Sequence, residues 1–223
     1  TTLIRGGMAM SRTSLALASA GLLLIGGCFQ QQSTDKASTN GAPPASYYDN
    51  SKLADAWSGG ARKITISTPK GPHQIWIKRV GNNPKLKLLL LTGGPGFSHG
   101  YMEVMDSFLP AEGVEYYYYD QLETGESDKP DDPDLWTLAR YVDEVDQVRK
   151  AIGGTKDNFC LLGHSWGGIL VMEYALAHQD QVKCLVISNM MASIPAYNEY
   201  AKKVLEPQMN QAALKQILAM EAS

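Results

Sequence analysis

Asn158-Phe159-Cys160-Leu161-Leu162-Gly163-His164-Ser165-Trp166-Gly167-Gly168 decides the reading of this 223-residue chain. A short apolar run closed by glycine has the pattern of a strand covered on both faces, and a helical stretch, Ile169 to His178, follows at once. Between them lies Gly-x-Ser-x-Gly in the strand-before, helix-after setting of a nucleophile elbow. Such a turn is tight and strained, and it holds a serine Oγ exposed at the carboxyl end of a sheet. The helix N-terminus beyond it favours developing negative charge. Ser165 is therefore the expected nucleophile.

On either side of this motif strands and helices alternate. Lys63 to Ser67 and Gln74 to Ile77 alternate apolar with polar residues around the turn Lys70-Gly71-Pro72, which predicts an opening β-hairpin. Leu86 to Leu91 is a second buried-strand run, followed by a helical stretch near Tyr101 to Leu109 and a strand from Val114 to Tyr119. A long helix is expected from about Leu135 to Ile152, with Leu135, Leu138, Val142, Val145, Val148 and Ile152 on one face and Asp143, Glu144, Arg149 and Lys150 largely off it. With the strand Lys183 to Ser188, this order means an α/β fold on a mostly parallel sheet. After Asn189 the pattern turns helical, over Tyr197 to Leu205 and Gln211 to Met220. Residues 49–193 are assigned to an incomplete α/β core and 194–223 to the start of a helical lid, with the last strands of the sheet expected beyond Ser223.

Thr92-Gly93-Gly94-Pro95-Gly96 closes the Leu86 to Leu91 strand and places a glycine-rich loop beside the elbow, where a backbone N–H can serve an oxyanion. Gly93-Gly94-Pro95-Gly96, then Tyr119-Asp120-Gln121 with Gly125 and Ser127, then Gly163 to Gly168 resemble the proline iminopeptidase family in order and spacing, from about Leu86 to Ser193. The resemblance implies an α/β-hydrolase fold. It also implies an acyl-enzyme on Ser165, oxyanion N–H groups from Gly94 and Trp166, and peptides with a free N-terminal proline as substrates. The family usually has His where Thr92 stands and Gly where Glu123 stands, which bears on loop geometry and substrate fit. Lid carboxylates select the amine in that family; Glu199 and Glu206 lie near the start of the lid but match no motif. Another hydrolase of the same fold, an esterase or an aminopeptidase of other specificity, and a non-catalytic binding lipoprotein remain alternatives.

Triad order in this fold is serine, acid, histidine, so Asp120 is read as structural. His73, His99 and His164 precede Ser165, and His178 lies late in the following helix. His164 is read as support for the turn and His99 as a loop-surface residue. The triad acid and histidine are thus expected outside this chain, and the 223 residues by themselves are expected to be inactive.

The net charge of −3 argues against nucleic-acid binding, and neither cofactor nor metal is expected. Arg12, the apolar run Leu15 to Gly27 and Cys28 form a secretory signal over residues 1–28. Ile25-Gly26-Gly27-Cys28 resembles a bacterial lipobox, implying lipidation of Cys28 and an exported, membrane-anchored protein; an ordinary signal peptide with a chance cysteine is the alternative. Residues 29–48, rich in Gln, Ser, Thr, Ala and Pro, read as a flexible tether. Cys160 and Cys184 sit in apolar strand-like runs and are expected as two core thiols rather than a bridge or a metal pair.

Overall fold

The computed structural model describes residues 43, 45–49 and 60–221. At its centre is a six-stranded sheet in the order β1-β2-β4-β3-β5-β6, formed by β1 (Ala61–Thr68), β2 (Gly71–Val80), β3 (Lys87–Leu91), β4 (Glu115–Tyr119), β5 (Phe159–His164) and β6 (Cys184–Ser188). The hairpin β1–β2 is antiparallel and β2 joins β4 antiparallel, whereas β4, β3, β5 and β6 run parallel. This is the expected α/β architecture with its opening hairpin. The charged position 115 apart, β4 is a run of four tyrosines, and all five residues are buried because neighbouring strands and both faces enclose it.

Period-two alternation sorts the strand side chains between two layers. Leu89, Leu91, Tyr117, Tyr119, Phe159 and Leu161 face the helices α1 (Leu138–Ala151) and α2 (Trp166–Ala177), meeting Val145, Val148, Leu170, Val171 and Tyr174. On the other face Leu88, Leu90, Tyr116, Tyr118 and Cys160 pack with Trp76 and with Met102, which belongs to a 3-10 segment, His99–Ser107. Helix α1 starts at Leu138, capped by the Thr137 side chain on the Arg140 N–H, while Leu135 belongs to a preceding 3-10 turn. Leu138 is 39% exposed rather than part of the buried face. Glu144, expected off that face, is buried. The cause is a demand for an acceptor: its carboxylate takes the Leu122 N–H at 3.2 Å and pairs with Arg140 of the preceding turn. Burial pushes the Glu144 carboxyl up, with Arg140 opposing.

Cys160 and Cys184 form a disulfide, with Cα atoms 4.7 Å apart, which corrects the expectation of two free thiols. The parallel register sets the two residues directly opposite each other on β5 and β6, inside the Cα separation that a bridge requires. The boundary of the tether also differs. Residues 45–48, assigned to it, form a 3-10 turn whose Tyr47 is buried and donates to the Val114 carbonyl at 2.6 Å. The signal segment with Cys28, and the tether up to residue 42, lie outside the described residues. Over 194–221 the chain is helical, through α3 (Ile194–Tyr200), a π-helical turn (Ala201–Leu205), a 3-10 turn (Glu206–Gln208) and α4 (Gln211–Glu221). Glu199 there forms an exposed ion pair with Lys203.

Candidate active site

Three parallel strands deliver the site. Strand β5 ends in the sharp turn at Ser165, whose φ of 55° and ψ of −122° are sterically unfavourable for a residue with a side chain. Two bonds hold the turn: the Ser165 N–H donates to the Ser188 carbonyl at the end of β6 at 3.0 Å, and the Gly168 N–H donates to the Ser165 carbonyl at 2.7 Å. Ser165 occupies the cap position of α2, yet its side chain makes no capping bond. The hydroxyl is therefore left free at the positive end of the helix.

Strand β3 brings the glycine loop against this turn. A Cβ on Gly93 would stand 3.2 Å from Ser165 Cβ and 3.3 Å from the His164 carbonyl, so a side chain here would crowd the elbow. Gly94 has φ of 113° and precedes a cis Pro95. Among the described residues no acceptor is recorded for the backbone N–H of Gly94 or of Trp166; the latter is one of the first-turn donors that a helix leaves unpaired. Gly93, Gly94, Phe97, Ser98, Tyr101, His164 and Ser165 line a cavity of about 400 Å³.

Tyr101 ties loop to elbow, a role that no local pattern in the sequence announced. Its hydroxyl accepts the Gly93 N–H at 2.7 Å and lies 3.1 Å from His164 Nδ1. His164 thus supports the turn through a partner 63 residues away in sequence. Burial pushes the Tyr101 hydroxyl above its ordinary pKa, which keeps it protonated as a donor. Losing one such bond is worth about 1 kcal/mol or somewhat more. Tyr101→Phe in the full-length protein is expected to slow fluorophosphonate capture at Ser165 about tenfold and to lower the melting temperature by about 2–4 °C; capture at the wild-type rate would remove this role.

Trp166 points its indole the other way. Nε1 donates to Gln121 Oε1 at 3.1 Å, and Gln121 Nε2 donates to Thr92 Oγ1 at 3.2 Å, so a side-chain bridge links α2, β4 and the glycine loop. Asp120, at the end of β4, is consumed by structure: it accepts from the His99 N–H and Nδ1 and from the Glu126 N–H, at 2.8 to 2.9 Å. Burial raises its pKa, but these bonds outweigh it and hold the carboxyl below its ordinary value.

His99 is not the loop-surface residue expected from sequence. It stacks on Trp76 with ring centres 4.2 Å apart and lies between Asp120 and, 3.9 Å from Nε2, Glu103. His178 lies tilted against Tyr174, with ring centres 4.7 Å apart, and His73 Nε2 is buried without a partner among the described residues. No histidine nitrogen is recorded in a hydrogen bond to Ser165 there. No group of three or more His, Cys, Asp or Glu among the described residues is placed to hold a metal ion.

With this geometry in view, residues 87–220 match the model of the alpha/beta hydrolase fold family. The chain is 57% identical over 159 residues to a proline iminopeptidase of Flavobacterium johnsoniae, covering 71% of this chain and 54% of that protein. It is 52% identical over 159 residues to a proline iminopeptidase of Chitinophaga pinensis, covering 71% and 53%. Among solved structures, a proline iminopeptidase of Mycobacterium smegmatis superposes with a TM-score of 0.61 at 31% identity, over 72% of this chain and 55% of that one. The chain thus spans about half the length of the relatives it matches.

Proposed function

The chain belongs to the alpha/beta hydrolase fold family, and from that membership we propose that the protein is a serine exopeptidase that releases an N-terminal residue, preferentially proline, from peptides. One observation carries the chemistry: a serine held at φ 55° on a strand-to-helix turn, its hydroxyl unused in capping, faces a loop with a free N–H. The likeness to proline iminopeptidases carries the substrate.

In this reading Ser165 Oγ attacks the carbonyl carbon of the terminal residue while a general base takes its proton. The oxygen gains negative charge as the tetrahedral intermediate forms, and the N–H groups of Gly94 and Trp166 stabilise it. Collapse breaks the C–N bond, and the base returns the proton to the leaving amine; water then hydrolyses the ester on Ser165. We place the base histidine and its acid beyond Ser223. In support, the one histidine after Ser165 is His178 at the far end of α2, packed against Tyr174.

A panel of 4-nitroanilides and short esters tests the reading on the full-length protein. Proline anilide is expected to be turned over at least tenfold faster, as kcat/KM, than leucine anilide. Equal turnover of both would remove the preference for proline, and cleavage of esters alone would replace the exopeptidase by another hydrolase of this fold.

Anchoring is a separate proposal, resting on the lipobox-like Ile25 to Cys28. The Cys160–Cys184 bridge supports export, because disulfides persist in oxidising compartments. Among the described residues no helix is long and apolar enough to cross a membrane. A lipid on Cys28 adds about 0.8 kcal/mol per buried CH₂. Cys28→Ala should therefore release the protein from the membrane fraction and abolish labelling by palmitate; unlabelled wild-type protein in the soluble fraction would remove the claim.

A further inference from the structure

Residues 45–49 are fastened to one end of the sheet. Tyr47 is 2% exposed, and its hydroxyl donates to the Val114 carbonyl at 2.6 Å. Its ring fills the space that a Cβ on Gly81 would need, and the Asn82 side chain donates to the Asp49 carbonyl at 3.1 Å. Val114 directly precedes β4, and Gly81 directly follows β2, whose Val80 pairs with Tyr116 of β4. All of these contacts therefore lie at the amino ends of the parallel strands. Ser165 and the glycine loop instead follow the carboxyl ends of β5 and β3. The register sets Lys87 of β3 beside both Glu115 and Phe159, so Val114 lies level with Asn158, seven residues before Ser165. At about 3.3 Å per residue, the clasp at Tyr47 and the nucleophile are roughly 23 Å apart along the strands.

Charge divides along the same axis. Beyond the carboxyl ends, the loop from Glu126 to Asp134 carries five carboxylates and one lysine, with Lys63 and Lys70 reaching Asp128, Asp132 and Asp134 from the hairpin. Five acids thus face three bases there. At the amino ends the exposed lysines Lys85, Lys156 and Lys183 balance the exposed acids Glu112, Asp157 and Asp180. An anionic surface within about 10 Å, the range over which salt leaves such charges unscreened, repels the active-site end and tolerates the clasp end.

We propose that the amino-end face, around Tyr47 and Gly81, is the surface this protein turns to an anionic lipid bilayer, and that Ser165 opens on the side away from it, so that the enzyme acts on peptides in free solution rather than on chains held at the bilayer. This orientation rests on the anchoring reading above. Cys28 stands 17 residues before Ala45. As the tether that its composition indicates, such a segment spans about 23 Å r.m.s., whereas a body of about 160 residues is roughly 40 Å across. For Ser165 to meet the bilayer, the segment would have to run past the whole body. Few of its conformations do.

Two fluorophosphonates test the orientation on the lipid-anchored full-length protein, in vesicles of phosphatidylethanolamine and phosphatidylglycerol and without requiring peptide cleavage. One reagent is soluble; the other is joined by a short linker to a phospholipid headgroup in the same vesicles. The comparison is with a variant carrying about 40 Gly and Ser residues inserted after Gln32, which raises the r.m.s. span of the tether to about 40 Å. Both proteins should capture the soluble reagent at the same rate, because the insertion lies far from the folded site. The ratio of lipid-borne to soluble capture should be about tenfold lower in wild type than in the lengthened variant. Equal ratios in two palmitate-labelled proteins overturn the proposal, since Ser165 then reaches the bilayer at the natural tether length. Wild-type protein without palmitate label refutes the anchoring reading instead, and the orientation falls with it.

Discussion

Ser165→Ala in the full-length protein should lower kcat on proline anilide by about 10⁶-fold while leaving the fold intact, the scale seen when a catalytic serine that acts as a unit with its base is removed. The geometry explains why the loss should be confined to chemistry. Ser165 Oγ caps no helix and the backbone bonds that hold the turn, to Ser188 and from Gly168, do not involve the side chain. Alanine also keeps the same φ preference as serine, so the strain of the elbow is unchanged. Thermal melting should therefore shift by no more than about 2 °C, within the range of a change under 1 kcal/mol in a domain of this size. Residual activity near wild type would move the nucleophile elsewhere. A folded mutant that still reacted covalently with a fluorophosphonate would do the same.

The fold was legible because its strands are short apolar runs and its helices amphipathic stretches, each a local pattern. Leu86 to Leu91 and Phe159 to Leu162 needed no knowledge of their neighbours to be read as buried. Ser165 and the glycine loop were legible for a similar reason, since the elbow is built from residues adjacent in the chain. What escaped the sequence depended on register or on distant pairing. The Cys160–Cys184 bridge exists because β5 and β6 align those two positions, and alignment across a 24-residue separation has no local signature. His99 looked like a loop residue until β4 brought Asp120 to its ring. Burial of Glu144 follows from the need of the Leu122 N–H, beyond the end of β4, for an acceptor, a demand visible only once the loop is placed. Tyr101 is the same kind of case: an ordinary tyrosine in sequence, joined to Gly93 and His164 in space.

Gly163→Ala is expected to cost more stability than any other single-methyl substitution considered, about 3 kcal/mol or more. A Cβ there would stand 2.1 Å from the Gly167 carbonyl oxygen, 2.4 Å from its carbon and 2.7 Å from the Gly168 nitrogen. All three atoms belong to the backbone of α2, so no side chain can rotate away. The helix start would have to move off β5, yet it cannot move freely, because a Cβ position on Gly167 is already 2.1 Å from the Leu91 carbonyl of β3. Strand, elbow and helix are thus locked at the spacing that glycine permits, and that spacing is what aims Ser165 at the glycine loop. Gly153→Ala is the control: its φ of 66° strains alanine, but nothing lies within 4 Å of the added Cβ. It should cost about 1 kcal/mol, the price of the left-handed conformation alone. In the full-length protein the two variants should then separate in thermal melting, with Gly163→Ala lower by about 6 °C or more relative to wild type. Surviving Gly163→Ala protein should also capture fluorophosphonate more slowly, since any relief of the clash displaces Ser165 from Gly94. Equal melting temperatures for the two variants would show that α2 yields to the added methyl, and that the elbow is held by something other than this contact.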